Sequence, residues 1–582
     1  MQQFLRFVVE ETLEGRAGEI KESVVAVHVF GRRSDFDSHS DSVVRVHATH
    51  LRQRLHQYYQ TESPRDGTVI ELPPGAYVPV FRPANGLRGA SVGERRRTWL
   101  LPVAVLAALA LALAAAVALG TFGWLTRNAP TSIAVLPFAA LDAAQGNDYL
   151  AEGIAEDLMT SLAQSPRLRV VARTSAFQFR GRNISARSVG RDLGASLLLE
   201  GSIRGAPDHL KIDAQLVDAA SGFDLWSQSW EGSAGDAPLF EEQTARAVLR
   251  LLGKTPGKRE PTTSATASRP PLPVAQEAYW RGRYLLSKGH ATRAESIRFL
   301  NDATREDPQY APAWAGLATA YAVMAFHGEG DIGELTAKAR SAGGRALQLD
   351  PASAESLAAL AVLSYAFDHD WASAQRNFER ALELNPSLAR AHLEYALGLV
   401  TRARFDAAIA HIREARVLDP LSFAIGNDLA LALECAGRYD EAIASARQTL
   451  RSDPNFAYAH VPLAISLALK GNSTASIGEF QQAIQALGRD GWILGPMGFA
   501  LARAGRKVEA ANIAREIESA DGSPVSVAYV YAGLGDKPRA LDALERAYAQ
   551  RIVDLNFMAV DPMLVSLRAE PRFLTLKRRM GL

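Results

Sequence analysis

The chain has 582 residues, which at about 150 residues per domain predicts some four structural units. Its formal net charge of +1 excludes a protein that coats nucleic acid through an overall basic surface. The single cysteine, Cys435, excludes an intramolecular disulfide framework and a cysteine-ligated zinc site, and its apolar helical surroundings indicate a small core residue.

The first 82 residues are predicted to form three helices followed by a β-hairpin. Apolar spacing indicates helices over residues 3–14, 21–30 and about 42–59, and β-prone runs at 68–72 and 76–81. No acidic residue lies between Asp41 and Glu62, so the exposed face of the third helix is locally basic. The whole segment is not basic, because its ten Lys/Arg are outnumbered by eleven Asp/Glu.

Residues 43–55 resemble the recognition helix, and residues 74–77 the wing, of the OmpR/PhoB-type winged helix-turn-helix family. The resemblance implies an α+β DNA-binding domain over residues 1–82, with the third helix in the major groove and the wing against phosphates. Arginine suits guanine edges and phosphates, and threonine and histidine suit phosphates or bases. The residues expected to contact DNA are Arg45, Thr49, His50, Arg52, Arg54 and Tyr77. The alternative is a solvated basic face on a winged helix that binds a protein.

Residues 98–126 form an uncharged stretch long enough to cross a bilayer, which needs about 20 apolar residues. Tryptophans lie at both ends, at Trp99 and Trp124. A basic juxtamembrane linker at 83–97 precedes the stretch and ends in three arginines, so the positive-inside rule predicts a cytoplasmic amino terminus. The alternative is a buried Ala/Leu helix.

The same stretch carries small residues at every fourth position, at Ala104, Ala108, Ala112, Ala116 and Gly120. Such a face lets two membrane helices approach closely, which predicts a homodimer. The alternative is that an alanine-rich helix shows this spacing by chance.

Residues 131–253 are predicted to form an α/β domain, because strand-like and helix-like segments alternate. Strands are expected at 132–138, 168–172, 197–203, 210–217 and 223–230, and helices at 149–163, 188–194 and 240–252. Short motifs resemble the TolB-like (FlgO-like) domain, at residues 133–138, 150–154, 199–202 and 225–227. This resemblance implies a binding domain and no known chemistry.

A Pro/Thr/Ser-rich linker at 254–274 precedes a repeating segment at 275–550. Prolines after Asp or Asn recur at spacings of 43, 35, 34 and 34 residues, at Pro308, Pro351, Pro386, Pro420 and Pro454. A 34-residue period of this kind is typical of tetratricopeptide repeats, which the segment resembles. The wider first spacing indicates an insertion at about 328–333.

The resemblance implies an all-α superhelix of stacked helix pairs whose concave groove holds a protein or peptide. Alanines are expected where paired backbones approach closely, at Ala374, Ala381, Ala408, Ala415 and Ala442. Residues 551–582 are predicted to form a non-repeating cap, with Pro562 and Pro571 breaking helices.

No set of nucleophile, base and oxyanion donors and no complete metal or phosphate motif is found, so we expect no enzyme activity, no metal and no cofactor. The sequence therefore predicts a bacterial inner-membrane, single-pass, one-component transcriptional regulator with ToxR/CadC-like logic. Its winged helix would bind DNA in the cytoplasm, and its periplasmic repeats would sense a protein or peptide. The alternative is a scaffold that does not bind DNA and that joins proteins through its repeats.

Overall fold

A computed structural model describes residues 2–32, 43–61, 68–73, 76–83, 130–141, 148–182, 184–252 and 270–582. The chain divides into two compact units, Met1–Gly123 and Trp124–Leu582, which are described separately. Most of the predicted juxtamembrane linker, the 98–126 stretch with its small-residue face, and most of the 254–274 linker lie outside the described residues.

The first unit contains three helices and a two-stranded sheet, in the predicted order. The elements are α1 (Gln2–Leu13), α2 (Glu22–Phe30), α3 (Val43–Thr61), β1 (Thr68–Glu71) and β2 (Val80–Pro83). The strands pair antiparallel, with Ile70 opposite Phe81. Phe4, Val8 and Ala48 are fully buried between the helices. The helix-helix-helix-hairpin order is thus observed, whereas membership of the winged-helix family stays a prediction.

The second strand of this hairpin starts later than predicted, at Val80 instead of residue 76. Two features of the preceding segment explain the delay. Arg52 donates hydrogen bonds to the carbonyls of Leu72, Pro73 and Ala76, which are therefore occupied by a side chain. Pro79 has no N–H to give to a neighbouring strand.

The second unit begins with an α/β domain built on a mixed sheet. Its strands are β3 (Thr131–Val135), β4 (Ala139–Ala140), β5 (Leu168–Val170), β6 (Leu197–Ala206), β7 (His209–Asp218) and β8 (Asp224–Gly232). Its helices are α4 (Asp148–Ala163), α5 (Arg173–Ala176), α6 (Ala186–Leu193) and α7 (Ala237–Leu251). The strand order is β5-β3-β6-β7-β8, with β4 beside β6. The pairs β5-β3 and β3-β6 are parallel, whereas β6-β7 and β7-β8 are antiparallel.

Residues 270–582 contain eight antiparallel helix pairs, which confirms the tetratricopeptide-like architecture predicted for this part of the chain. Pairs one to four are α8 (Pro273–Ser287) with α9 (Arg293–Glu306), α10 (Ala311–Phe326) with α11 (Ile332–Leu349), α12 (Ala354–Ala366) with α13 (Trp371–Leu384), and α14 (Ala389–Thr401) with α15 (Phe405–Leu418). Pairs five to eight are α16 (Phe423–Cys435) with α17 (Tyr439–Ser452), α18 (His460–Leu469) with α19 (Ser473–Leu487), α20 (Gly491–Arg503) with α21 (Lys507–Ser519), and α22 (Pro524–Leu534) with α23 (Lys537–Ala549). The five alanines expected at close contacts are all fully buried.

The extra residues behind the 43-residue spacing are not confined to about 328–333, where the sequence placed an insertion. Compared with pair three, α10 is three residues longer and α11 four residues longer, and the loop at 327–331 is only one residue longer. These differences account for the eight extra residues. The insertion is therefore mostly helical, and it extends both helices of the pair.

The cap at 551–582 contains two 3₁₀ segments, Val553–Phe557 and Pro562–Leu567, and helix α24 (Pro571–Arg579). Pro562 and Pro571 begin these elements and do not break them, because a proline at the first turn loses no helical hydrogen bond. The cap also reaches back along the array: Asn556 Nδ2 donates to the carbonyl of Ala366 in pair three at 3.0 Å. The repeats therefore turn far enough for their last residues to contact the third pair.

Among the described helices, none is both long and apolar enough to cross a bilayer. The two that reach 18 residues, α3 and α11, each carry at least three charged side chains, which are costly in lipid. This finding contradicts the predicted single-pass inner-membrane location with a cytoplasmic amino terminus and periplasmic carboxy-terminal domains. The predicted span itself, at 98–126, lies outside the described residues.

Candidate functional site

A cavity of about 1040 Å³ lies between the α/β domain and the helical repeats. One wall is formed by the end of α4 and the segment after β5, including Thr160 and Arg173. The opposite wall is formed by the first helices of pairs two, three and four, including Ala315, Ala358 and Ala391. Neither part of the unit encloses this space alone. We call it the interdomain cavity.

The α/β domain is anchored to pair one along helix α4. Gly153 of α4 lies against the indole of Trp280, which is 1% exposed. The indole Nε1 of Trp280 donates to Asp157 Oδ2 at 2.7 Å. The hydrophobic core of the sheet continues across this contact to Leu300 of the repeats, so the two parts share one core.

A second anchor joins the edge of the sheet to pairs three and four. The main-chain N–H of Val170 donates to Ser387 Oγ at 3.1 Å, and that of Ala172 donates to the carbonyl of Leu418 at 2.7 Å. Arg169 pairs with Glu414 at 3.0 Å. The α/β domain therefore spans the array from pair one to pair four, and the interdomain cavity lies between the two anchors.

Charged side chains cross the domain boundary at the edge of the interdomain cavity. Arg283 of pair one pairs with Glu156 of α4, and its Nη1 lies 2.9 Å from Glu355 Oε2 of pair three. Arg173 Nε lies 3.4 Å from the other oxygen of Glu156. Burial opposes the charge on Glu156, but Arg283 and Arg173 outweigh it and hold the pKa of that carboxyl below its usual range. Burial likewise opposes the charge on Arg283, yet Glu156 and Glu355 raise its pKa well above the usual value.

Two further carboxyl groups in this region, those of Asp157 and Glu241, form no ion pair with the described residues. Burial raises the pKa of Asp157 to about 7, against the opposing effect of its hydrogen bond from Trp280. Burial and the nearby Asp157 also raise the pKa of Glu241 well above its usual value, and Glu241 Oε1 is buried without a hydrogen bond. Both side chains are therefore protonated more readily in the folded protein than in the unfolded chain.

The contribution of Asp157 to the stability of this unit is expected to fall as the pH rises from 5 to 7. The unfolded chain releases the Asp157 proton near pH 4, whereas the folded protein releases it near pH 7, so the folded state binds more protons across this interval. Asp157→Asn should reduce the loss of unfolding free energy over this pH range by at least about 1.4 kcal/mol, the equivalent of one pKa unit. Urea midpoints at pH 5, 6, 7 and 8 measure both proteins, and identical pH profiles would contradict the assignment.

The residues predicted to contact DNA all belong to the first unit, and four of them are exposed on one helix. Thr49, His50 and Arg54 are exposed on α3. The hydroxyl of Thr49 donates to the carbonyl of Arg45 in the preceding turn at 2.9 Å. Arg45 is exposed too, with its Nε 3.1 Å from Glu22 Oε1.

The other two predicted residues are engaged within the domain. Arg52 is half-buried and holds the three carbonyls of the segment before β2 described above. Tyr77 is half-buried, and burial followed by the charge of Glu22 raises its pKa. The structure therefore places Arg45 and Tyr77 around Glu22 and gives Arg52 a structural contact. No sequence signal identified Glu22 or this use of Arg52.

The chain matches none of the protein families with which it was compared. It is 32% identical over 193 residues to "Putative adenylate cyclase 3" of Rhizobium meliloti (strain 1021). The aligned segment covers 33% of this chain and 32% of that protein. The chain thus spans about a third of that relative. Among solved structures it is similar to PilF of Pseudomonas aeruginosa, at 22% identity and with a TM-score of 0.28. The similarity covers 35% of this chain and 91% of that chain.

A tetratricopeptide repeat protein from Parabacteroides merdae is similar at 15% identity, over 42% of this chain and 93% of that chain, with a TM-score of 0.34. Both structural likenesses are distant, and the repeat architecture rests on the eight helix pairs themselves.

Proposed function

We propose that this protein is a non-catalytic interaction protein that holds a peptide segment of a partner protein in its interdomain cavity. The observation that carries the proposal is the cavity itself. Its volume of about 1040 Å³ lies at the upper end of the range of small-molecule sites, roughly 300–1,000 Å³, and leaves room for several residues of a peptide.

The lining suits an extended peptide. Small side chains such as Ala315, Ala358 and Ala391 leave space along the repeat wall for a backbone to approach. Arg283 and Glu355 at the edge supply charges of both signs for polar peptide groups.

Filling the interdomain cavity is expected to abolish peptide binding. Ala358→Trp places an indole on the repeat wall, and a membrane array of random capped dodecapeptides probed with the full chain measures binding. Ala337→Trp is the matched control, because Ala337 is exposed on the second helix of pair two. Binding of the same peptides by the unchanged chain and by Ala358→Trp, or no binding by the unchanged chain, would refute the proposal.

DNA binding by the first unit is a second candidate function. The observation that favours it is the exposed, acid-free face of α3 that carries Thr49, His50 and Arg54. The winged-helix resemblance and the observed hairpin after α3 support the same proposal. The TolB-like resemblance of the α/β domain likewise remains a proposal, consistent with its mixed sheet.

Arg54→Ala in the full chain is expected to make DNA binding less dependent on salt. If Arg54 contacts a phosphate, the slope of the logarithm of the binding constant against the logarithm of the salt concentration should become shallower by about one. Arg52→Ala should instead lower stability, because three carbonyls lose their donor. Fluorescence anisotropy with a mixed-sequence 30-base-pair duplex measures DNA binding by both variants, and urea unfolding measures the stability of Arg52→Ala. Absence of salt-dependent binding by the unchanged chain would leave the first unit as a protein-binding module.

A further inference from the structure

A row of four aromatic side chains crosses pairs five, six and seven. Phe423 stacks on Phe456 with ring centroids 3.7 Å apart, Phe456 lies 5.6 Å from Tyr458, and Tyr458 stacks on Trp492 at 6.1 Å. Core aromatics of a repeat would be buried, yet Phe423 is 41%, Tyr458 47% and Trp492 40% exposed. We call these residues the aromatic row. Their planes offer a stacking surface to a ligand.

The aromatic row ends at a pocket. Trp492 lines a cavity of about 180 Å³ on the first helices of pairs five to eight, and the cap closes it. Leu431, Ile465 and Val525 supply apolar walls. The volume is below the usual range for a small-molecule site and matches one long side chain.

Three carboxyl groups also line this pocket: Glu434 from pair five, and Asp554 and Asp561 from the cap. We call it the acidic pocket. In the described part of the chain, no lysine or arginine forms an ion pair with any of them. Arg568 lies close by, but its Nη2 donates to the main-chain carbonyl of Asp561 at 3.1 Å and not to the carboxylate.

The three carboxyl groups differ in how many hydrogen bonds they already accept within the protein. Glu434 accepts from Ser466 at 2.6 Å, and Asp561 accepts from Tyr529 at 2.6 Å and from the N–H of Met563 at 2.8 Å. Asp554 makes no hydrogen bond or ion pair with the described residues, and its side chain remains accessible to solvent. Asp554 is therefore the carboxylate most available to a ligand.

The surroundings of these carboxyl groups favour the binding of a positive charge. Burial raises the pKa of Glu434 to about 8 and also raises the pKa of Asp561. A cation in the pocket would offset the cost of ionising them. A cation carried on an apolar stem fits the apolar walls, and a guanidinium stacks well on an indole such as Trp492.

We propose that the aromatic row and the acidic pocket form a second binding site, which takes a peptide segment of a partner protein by inserting one of its arginine or lysine side chains. The cation pairs with Asp554 and Glu434, its stem lies along the apolar walls, and neighbouring residues of the peptide stack on the aromatic row. A peptide is favoured over a small amine because the aromatic row continues from Trp492, which lines the pocket, to Tyr458, Phe456 and Phe423, which do not. This site is independent of the function proposed for the interdomain cavity.

The test compares two pools of fluorescein-labelled, capped heptapeptides that differ only at the central residue. One pool has arginine there and the other has citrulline, which keeps the shape and loses the charge. Flanking positions are random but exclude charged residues, histidine and cysteine. Anisotropy titration of the full chain is expected to show roughly tenfold tighter binding of the arginine pool.

Asp554→Asn is expected to remove most of the preference for arginine, and Glu434→Gln to reduce it while keeping the hydrogen bond from Ser466. Trp492→Ala should weaken both pools. Asp406→Asn, which removes a fully exposed charge, and Ala358→Trp in the interdomain cavity should change neither. Thermal unfolding confirms that the variants are folded, and Asp554→Asn decides the outcome if Glu434→Gln is unstable.

Equal binding of the arginine and citrulline pools would overturn the proposal, as would a preference that survives Asp554→Asn. In a further experiment, spermidine competes with the arginine pool for the site. If it binds as tightly as the arginine pool and its binding is unaffected by Phe423→Ala and Tyr458→Ala, the pocket takes a free polyamine and the peptide assignment is wrong.

Discussion

Replacing Arg283 by leucine is expected to lower the free energy of unfolding by about 3–5 kcal/mol, the usual cost of leaving a buried charge without its partner. Arg283 and Glu156 are both about 15% exposed, and Arg283 also holds Glu355, so its removal leaves two carboxylates at the domain boundary with one cation fewer. Urea unfolding followed by tryptophan fluorescence measures the loss. Hydrogen exchange across α4 should rise at the same time, because Arg283 fastens that helix to pairs one and three.

Arg305→Leu provides the matched control in the same helix pair. Arg305 is 68% exposed and pairs at 2.6 Å with Asp302, three residues away on its own helix. An exposed pair of this kind contributes about 0–1 kcal/mol. If Arg283→Leu costs no more than Arg305→Leu, the ion pairs across the boundary do not hold the two parts together.

The local elements were largely predictable from the sequence because their signals are local. Apolar periodicity located α4 and α7 to within three residues at each end, and the proline spacing located the repeats. The predicted helix at 188–194 is observed at Ala186–Leu193. The difference has a capping explanation: Ser185 accepts from the N–H of Ser188 and starts the helix earlier, and Gly194 in the left-handed conformation ends it.

The binding sites could not be predicted in the same way, because they depend on contacts between distant parts of the chain. The linker prediction at 254–274 suggested an α/β domain separate from the repeats, yet the two share one core and enclose the interdomain cavity. Trp280 was the available signal: a large aromatic in the first repeat helix, outside the repeat motif. Its partner, Gly153, has no side chain and therefore gave no sign of the contact.

The DNA-binding candidates show a related difficulty. Helical spacing correctly places Thr49, His50 and Arg54 on the exposed side of α3, but it cannot distinguish them from Arg52. Arg52 is set apart by carbonyls that lie 20 to 24 positions further along the chain. The DNA contacts thus stay a prediction for all six residues, of which Arg52 also holds main-chain carbonyls of its own domain.

Gly153→Ala is expected to destabilise the contact between the α/β domain and the repeats by about 1–3 kcal/mol. A Cβ at this position would lie 2.4 Å from Cγ and 2.5 Å from Cδ1 of Trp280, far inside van der Waals contact. The indole cannot simply turn away, because it is buried and its Nε1 is hydrogen-bonded to Asp157. Urea unfolding measures the loss.

Gly344→Ala tests whether this loss arises from the contact and not from the change of residue type. Gly344 lies within helix α11, and a Cβ there meets no atom within 4 Å, so alanine should stabilise the protein by about 0.5–1 kcal/mol. Combining Gly153→Ala with Trp280→Leu should cost less than the sum of the two single changes, because the smaller side chain removes the overlap. Additive costs would mean that Gly153 and Trp280 are not in contact, and the α/β domain would then have to be held to the repeats by its second anchor, at Ser387 and Leu418.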